Sequence, residues 1–299
     1  MRRLYLSLAL ALTAFPLLAQ QDFSKVEVKA AKVAGSVYML TGAGGNIGVS
    51  VGSDGVVLID DQYAPLAPKI EAALKSITDQ PLRFVLNTHY HGDHTGGNEH
   101  FGKAAPLVAH ENVRKRLASG TSRGDHKVPP APAGALPVVT FNDTLTIHLN
   151  GEDVRAVHMP HGHTDGDSVI WFTKSNVVHM GDDYFNGMYP FVDTENGGDI
   201  GGLIANIEKV VATIPDDAKV IPGHGALSDK AGLRAYLNVL RDTLAAVQRG
   251  VDAGKTVDQL KSEKVLAQWD DWGKGWIKTD TWIEALYKEA TSRERKAKK

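Results

Sequence analysis

Directly after an apolar strand pattern, Arg83-Phe84-Val85-Leu86-Asn87, the chain reads Thr88-His89-Tyr90-His91-Gly92-Asp93-His94. This H-x-H-x-D-H run constrains the fold more than any other feature, because its side chains have to be presented together at the end of a strand. With 12 His among 299 residues, chance would place the pattern in roughly one such chain in a thousand. Alternate side chains of an extended segment share one side, so His89, His91 and Asp93 converge, and Gly92 lets the chain turn to bring in His94. Neutral imidazole and carboxylate are zinc ligands, and four within six residues exceed what one open catalytic ion needs. The run therefore predicts two adjacent metals. The chain has no cysteine, which removes disulfides, thiolate zinc sites, iron–sulfur clusters and thiol nucleophiles. Any metal is held by His and carboxylate.

The N-terminus has the layout of a secretory signal peptide: Arg2 and Arg3, an apolar run from Leu4 to Leu18, Ala19, then the polar Gln20-Gln21-Asp22. The run is shorter than the roughly 20 apolar residues a membrane span needs. The expectation is a signal peptide over 1–19 and an exported, periplasmic or secreted chain over 20–299 with no membrane span once the signal is removed. A composition of 42% apolar and 23% charged residues is that of an ordinary globular protein, and one catalytic domain with additions is the simplest organisation for this length. With 33 Lys+Arg against 35 Asp+Glu, no broad positive field exists to gather nucleic acid or anionic lipid. A small-molecule substrate is expected, and the oligomeric state stays open.

Short apolar runs at 37–40, 47–51 and 55–60, separated by Gly-rich or Ser-Asp-Gly turns, read as antiparallel strands. Leu66, Ile70, Ala73, Leu74 and Ile77 recur at helical spacing over 64–77, and strand character returns at 83–87 and 107–109, with a helix over 112–117. The segment 119–137, rich in Gly and Pro, reads as a long surface loop. Strands resume at 138–141, 145–149, 154–158, 169–172, 177–180 and 219–221, with helices at 203–214, 231–248, 257–266 and 281–290. Strands first, then alternation with helices, is a layered α/β pattern. The basic tail 293–299 reads as a solvated helix end.

Three further elements place a ligand-type residue beside a glycine where a strand hands over to a loop: His161-Gly162-His163-Thr164-Asp165, Gly181-Asp182-Asp183 and Pro222-Gly223-His224-Gly225. The residues alone leave open His161 or His163, and Asp182 or Asp183.

With H-x-H-x-D-H, G-H-T, G-D and G-H-G in this order and spacing, the chain resembles the metallo-β-lactamase superfamily from about Val37 to Gly225. The resemblance implies a four-layer αββα sandwich with the site at one edge of its two sheets, here followed by a helical C-terminal extension over about 228–299. It also implies ligand roles. His89, His91 and His163 surround one metal, Asp93, His94 and His224 the other, and Asp182 bridges them; His163 is chosen because it precedes Thr164, and Asp182 because it directly follows Gly181. The implied cofactor is two Zn2+, with iron or manganese as alternatives. Two such ions lower the pKa of a shared water toward neutrality and polarise the scissile carbonyl, so no side-chain nucleophile is needed, and Asp93 is the catalytic group that takes or orients the water's proton. Thr88, Asp165 and Asp183 are candidates for orienting the histidines.

Tyr184, Phe185, Met188, Tyr189 and Phe191 follow the bridging Asp182, and Tyr184, Phe185 and Tyr189 are expected to face substrate. Trp269, Trp272, Trp276 and Trp282 read as anchors of C-terminal helices on the core. Of the remaining histidines, His100, His110, His126, His148, His158 and His179, only His110 and His126 would suit a site mouth. Gly48-Val49-Ser50-Val51-Gly52 matches G-x-S-x-G, but a serine elbow needs a strand-to-helix turn and Ser50 lies inside a strand pattern. The resemblance thus implies a zinc-dependent hydrolase that opens an amide, lactone or ester bond. A dedicated β-lactamase is the weaker choice, since such family members have Cys or Ser in place of Asp182 and no Lys follows Gly181-Asp182 here. The alternatives are a glyoxalase II-like thioester hydrolase, which shares the bridging Asp, and an iron-dependent persulfide dioxygenase.

Overall fold

The computed structural model describes residues 22–297. The expected signal peptide lies outside the described residues, as do the side chains of His126 and of the basic tail. Seven strands form one sheet in the order 29–34, 37–41, 47–52, 55–59, 82–86, 107–110 and 139–141, and six form a second in the order 144–149, 152–158, 168–172, 177–179, 219–221 and 228–229. The first four strands of the first sheet are antiparallel, and those from 55–59 to 139–141 run parallel. In the second sheet 177–179 and 219–221 are parallel neighbours.

The period-2 pattern of the central strands explains the layering. Val57 and Ile59 point inward and meet Ile170, Phe172 and Ile221 of the second sheet, whereas Val56 and Leu58 point outward onto Leu66, Ile70 and Ala73. Val169, Val178 and Val220 face the other way, onto Leu203, Ile207, Leu240 and Leu286 of the helices Ile200–Thr213, Lys230–Asp252 and Thr279–Ala297. Three apolar interfaces between four layers make this the αββα sandwich that the family resemblance implies. Phe172 is fully buried between the sheets; truncating such a side chain to Ala costs about 3–5 kcal/mol.

The sheets are tied together at one edge. Asn46, in the turn before strand 47–52, donates from Nδ2 to the carbonyls of Pro222 and Gly225 (2.9 Å each) and from its backbone to Gly223 (2.7 Å). Ser168 N donates to Thr88 O across the same edge (2.8 Å). These bonds fix the loops that carry His224 and His89.

Two of the segments that differ from the sequence reading lie at a sheet margin and beside the site. The strand Lys29–Ala34 is absent from that reading, because KAAKVA at a sheet margin carries little apolar signal; lysines on an edge strand also discourage pairing with other chains. The loop 119–137 contains a hairpin of Thr121–Arg123 and His126–Val128 and a short helical turn at Ala133–Ala135. Gly124, at φ +53, supplies the left-handed first residue of its two-residue turn.

Candidate metal centre

Every ligand-type residue predicted from the sequence sits just past the C-terminal end of a strand along that tied edge. His89 and His91 follow strand 82–86, and His91 is the extended residue from which the one-turn helix Gly92–Thr95 starts. That turn swings Asp93 and His94 back toward His89, whose ring lies 4.2 Å from that of His94. His163 follows strand 152–158, Asp182 follows 177–179, and His224 follows 219–221. Gly45 lets a neighbouring loop pass close by: a Cβ there would lie 2.1–2.6 Å from the His94 ring.

The side chains form two sets, His89, His91, His163 and Asp182, and Asp93, His94 and His224, each with one donor atom per residue within 4.8 Å of the others. Asp182 joins them. Its Oδ2 is 3.8 Å from His89 Nε2, 3.5 Å from His163 Nε2 and 3.3 Å from His224 Nε2, while Oδ1 is 3.1 Å from His94 Nε2. Asp93 Oδ2 lies 3.3 Å from His224 Nε2 and 3.7 Å from His94 Nε2. The structure thus brings His163 and Asp182 into the centre. His161, on its own exposed φ +53 turn, points to the Gly197 carbonyl instead.

The outer nitrogens settle the tautomers, because a carboxylate or carbonyl can only accept. His163 Nδ1 donates to Phe191 O (2.7 Å), His91 Nε2 to Asp193 Oδ2 (3.0 Å) and His94 Nδ1 to Asp60 Oδ2 (2.7 Å). Thr88 Oγ1 donates to Asp60 and so accepts from His89 Nδ1 (3.1 Å). The inner nitrogens of His89, His91 and His163 are then bare lone pairs, yet they stand 3.1 and 2.8 Å apart. Facing lone pairs at that distance repel, and a cation between them turns the repulsion into coordination. His94 Nε2 and Asp182 Oδ1, both buried, face each other at 3.1 Å without the geometry of a hydrogen bond and have no other hydrogen-bond partner. The donor set fits divalent metal.

Charge divides the two sets. Burial pushes the His89 pKa well below the usual imidazole range, helped by His94, and drives His163 down to about 4. Burial opposes charge on His94 and His224 too, but Asp182 and Asp93 outweigh it, holding His94 well above its usual range and raising His224 to about 9. Asp182 stays well below the carboxylate range despite burial, because His224, His94, His89 and His163 surround it.

Two orienting carboxylates, Asp60 and Asp193, went unseen in the sequence. Asp60, buried at φ +64, accepts from Thr88 N and Oγ1 as well as from His94. Asp193 binds His91, Tyr90 OH and Asn196 Nδ2. The one available signal for Asp60 was its position directly after the apolar run Val56–Ile59. Of the residues proposed for this task, Thr88 does hold His89. Asp183 instead accepts from the His163 backbone (3.1 Å), and Asp165 pairs with Arg116 (2.7 Å), touching no histidine of the centre.

A cavity of about 700 Å³ opens above the centre, lined by Asp93, His163, Asp182 and His224 and walled by Phe185, Phe191, Trp276 and the 120–132 segment. The cavity wall differs from the aromatic expectations. Phe185 lines the cavity, but Tyr184 and Tyr189 are buried in the core. Tyr184 OH bonds Asn186 and Ser228, and Tyr189 OH donates to Trp269 O, so the loop that carries them turns its tyrosines inward. Trp282 is an anchor, stacked on Tyr189 and donating to Thr243. Trp276 is 65% exposed and lies 4.5 Å from the His224 ring, on the cavity wall. His110 is buried in a parallel stack with His158 at 3.7 Å, away from the cavity. Ser50 lies buried within its strand.

Residues 40–231 match the model of the metallo-beta-lactamase superfamily, and the chain belongs to that superfamily. It is 34% identical over 209 residues to a hydroxyacylglutathione hydrolase of Polaromonas sp. strain JS666, covering 67% of this chain and 72% of that one. It is 23% identical over 185 residues to metallo-beta-lactamase type 2 of Bacteroides fragilis, covering 58% and 70%. Among solved structures, a metallo-beta-lactamase from Pontibacter korlensis has the same fold, with a TM-score of 0.60 and 20% identity over 72% of this chain and 99% of that one. Membership and the paired His/Asp sets make the chain a metal-dependent enzyme of hydrolase type.

Proposed function

We propose that the protein binds two zinc ions and hydrolyses an amide, lactone or ester bond of a small molecule, with some β-lactams among its substrates. The observation that carries this reading is the triad of bare imidazole nitrogens beside the buried His94–Asp182 contact, which lacks hydrogen-bond geometry. His89, His91 and His163 would hold one ion, Asp93, His94 and His224 the other, with Asp182 shared. Two such ions make a water nucleophilic near neutral pH and polarise a carbonyl. The chain's own residues do the rest. Asp93, which reaches the cavity with 22% of its side chain exposed, accepts a proton at its carboxylate; His94 and His224 keep it a weak base despite burial, so it passes the proton on rather than storing it. Phe185, Phe191 and Trp276 exclude water from the substrate's apolar part.

A thioester substrate is the second reading, favoured by the carboxylate of Asp182 at the shared position and by the relative named hydroxyacylglutathione hydrolase. Export to the periplasm or medium is proposed on Arg2, Arg3 and the Leu4–Leu18 run alone. The test is hydrolysis of a chromogenic β-lactam, a lactone and a thioester by the purified chain, before and after chelation and with zinc added back. Zinc-restored turnover of any of them supports the hydrolase, and the preferred substrate chooses between the readings. A protein that carries one iron and consumes oxygen overturns both.

A further inference from the structure

The aromatic walls of the cavity differ in what they carry. Beside His224 the wall is apolar: Phe185 stacks on the imidazole at 5.1 Å and Trp276 meets both rings. Beside His91 and His163 stands Phe191, at 6.0 and 5.8 Å, and over its face, 4.4 Å from the centroid, lies the guanidinium of Arg123.

Two arginines line this cavity, and their situations are opposite. Arg116 is committed: Nη2 and Nε bond both oxygens of Asp165, and Nη1 bonds Asn196 Oδ1. Arg123 is exposed and has no carboxylate partner among the described residues. Its seat over a ring holds the guanidinium in place without using its N–H groups, which stay available for bidentate capture of a carboxylate. Its position is also built. The hairpin that bears it is held by Gly124 N donating to Glu195 Oε2 (2.8 Å) and by Asn196 Nδ2 donating to Ser122 O (3.1 Å). Asn196 in turn bonds Asp193, the residue that orients His91.

We infer that the cavity selects an anionic substrate: Arg123 grips a carboxylate on the His91–His163 side while an aromatic or bulky apolar group lies against Trp276 and Phe185 on the His224 side, with the scissile carbonyl between. The assignment deepens the hydrolase reading and rests on it for turnover, but the binding it asserts is measurable without turnover.

The test is calorimetric titration of the zinc-loaded protein with two anilides of equal length, the mono-anilide of glutaric acid and the neutral anilide of pentanoic acid. The acid binds roughly tenfold more tightly, the scale of one charge-assisted contact at a partly exposed site. Arg123→Gln removes that ratio, Arg123→Lys restores part of it, and Trp276→Ala weakens both anilides while leaving the ratio intact. Equal binding of the two anilides, a preference for the acid that survives Arg123→Gln, or no binding of the acid at millimolar concentration overturns the inference. Charge-dependent binding in a protein that hydrolyses no ester, thioester, lactone or amide removes the hydrolase reading and leaves this one standing; hydrolysis with binding indifferent to Arg123 does the reverse.

Discussion

The floor and the rim of the cavity are built on different principles. The floor is a set of side chains at strand ends, buried and each held by a second group: His94 by Asp60, His91 by Asp193, His163 by the Phe191 carbonyl, His89 by Thr88. The rim is a short hairpin with two tethers and an indole that is 65% exposed. Rigid elements with locked rotamers give a metal centre its precision, whereas loops set at the mouth decide what reaches it. Damage to the floor is therefore expected to remove chemistry, and damage to the rim to redirect it.

The sharpest way to break this contrast is at the ligands. His91→Ala or Asp93→Ala abolishes turnover, a loss of at least about a thousandfold, with the far-ultraviolet circular dichroism unchanged; wild-type-like rates in either variant would erase the distinction between floor and rim. Next comes Asp60→Asn, which keeps the shape but deprives His94 Nδ1 of its charged acceptor. Zinc affinity should fall by about 10–100-fold, read by competition with a chromogenic chelator. A smaller effect is expected at the rim: replacing 122–127 by a short Gly-Ser link should change KM severalfold and leave the metal content at its full value. If metal is lost instead, the hairpin belongs to the floor.

The smallest effect concerns a pair outside the cavity. Burial, and then the neighbouring His158, lower the His110 pKa to about 4 in the folded chain, against about 6.5 when unfolded. The unfolded state thus binds more protons between those values, so stability is complete above about pH 6.5 and declines as pH falls toward 4. Urea midpoints of the metal-free protein across this range should fall with pH, and less so in His110→Asn.

The same contrast explains what the sequence could tell. Metal ligation demands particular residue types at particular strand ends, so the clustering of His89, His91, Asp93, His94 and His224 was legible; the residues alone left His163 against His161 and Asp182 against Asp183 open, and the family resemblance chose the two that the fold brings together. The apolar alternation of Val56 to Ile59 announced the layers. Asp60 was not legible, because an aspartate after a strand has many roles and only the fold brings it to Thr88 and His94. Tyr184, Tyr189 and Trp276 were misassigned for a related reason. An aromatic residue carries the same signal whether it faces the core or the cavity, and the extended Tyr184–Phe185 step, bridged to His224 before the turn at Asn186–Gly187, puts the tyrosine on one side and Phe185 on the other. The hairpin at 121–128 was hidden by its six short, mostly polar strand residues.

The central claim, two ions on two ligand sets sharing Asp182, is tested most directly by metal stoichiometry. Zinc counted by mass spectrometry after dialysis should give two equivalents per chain for the wild type and one for His224→Ala, with the three-histidine set still filled. A wild-type chain that retains no zinc, or a His224→Ala chain that retains both equivalents, would contradict the account.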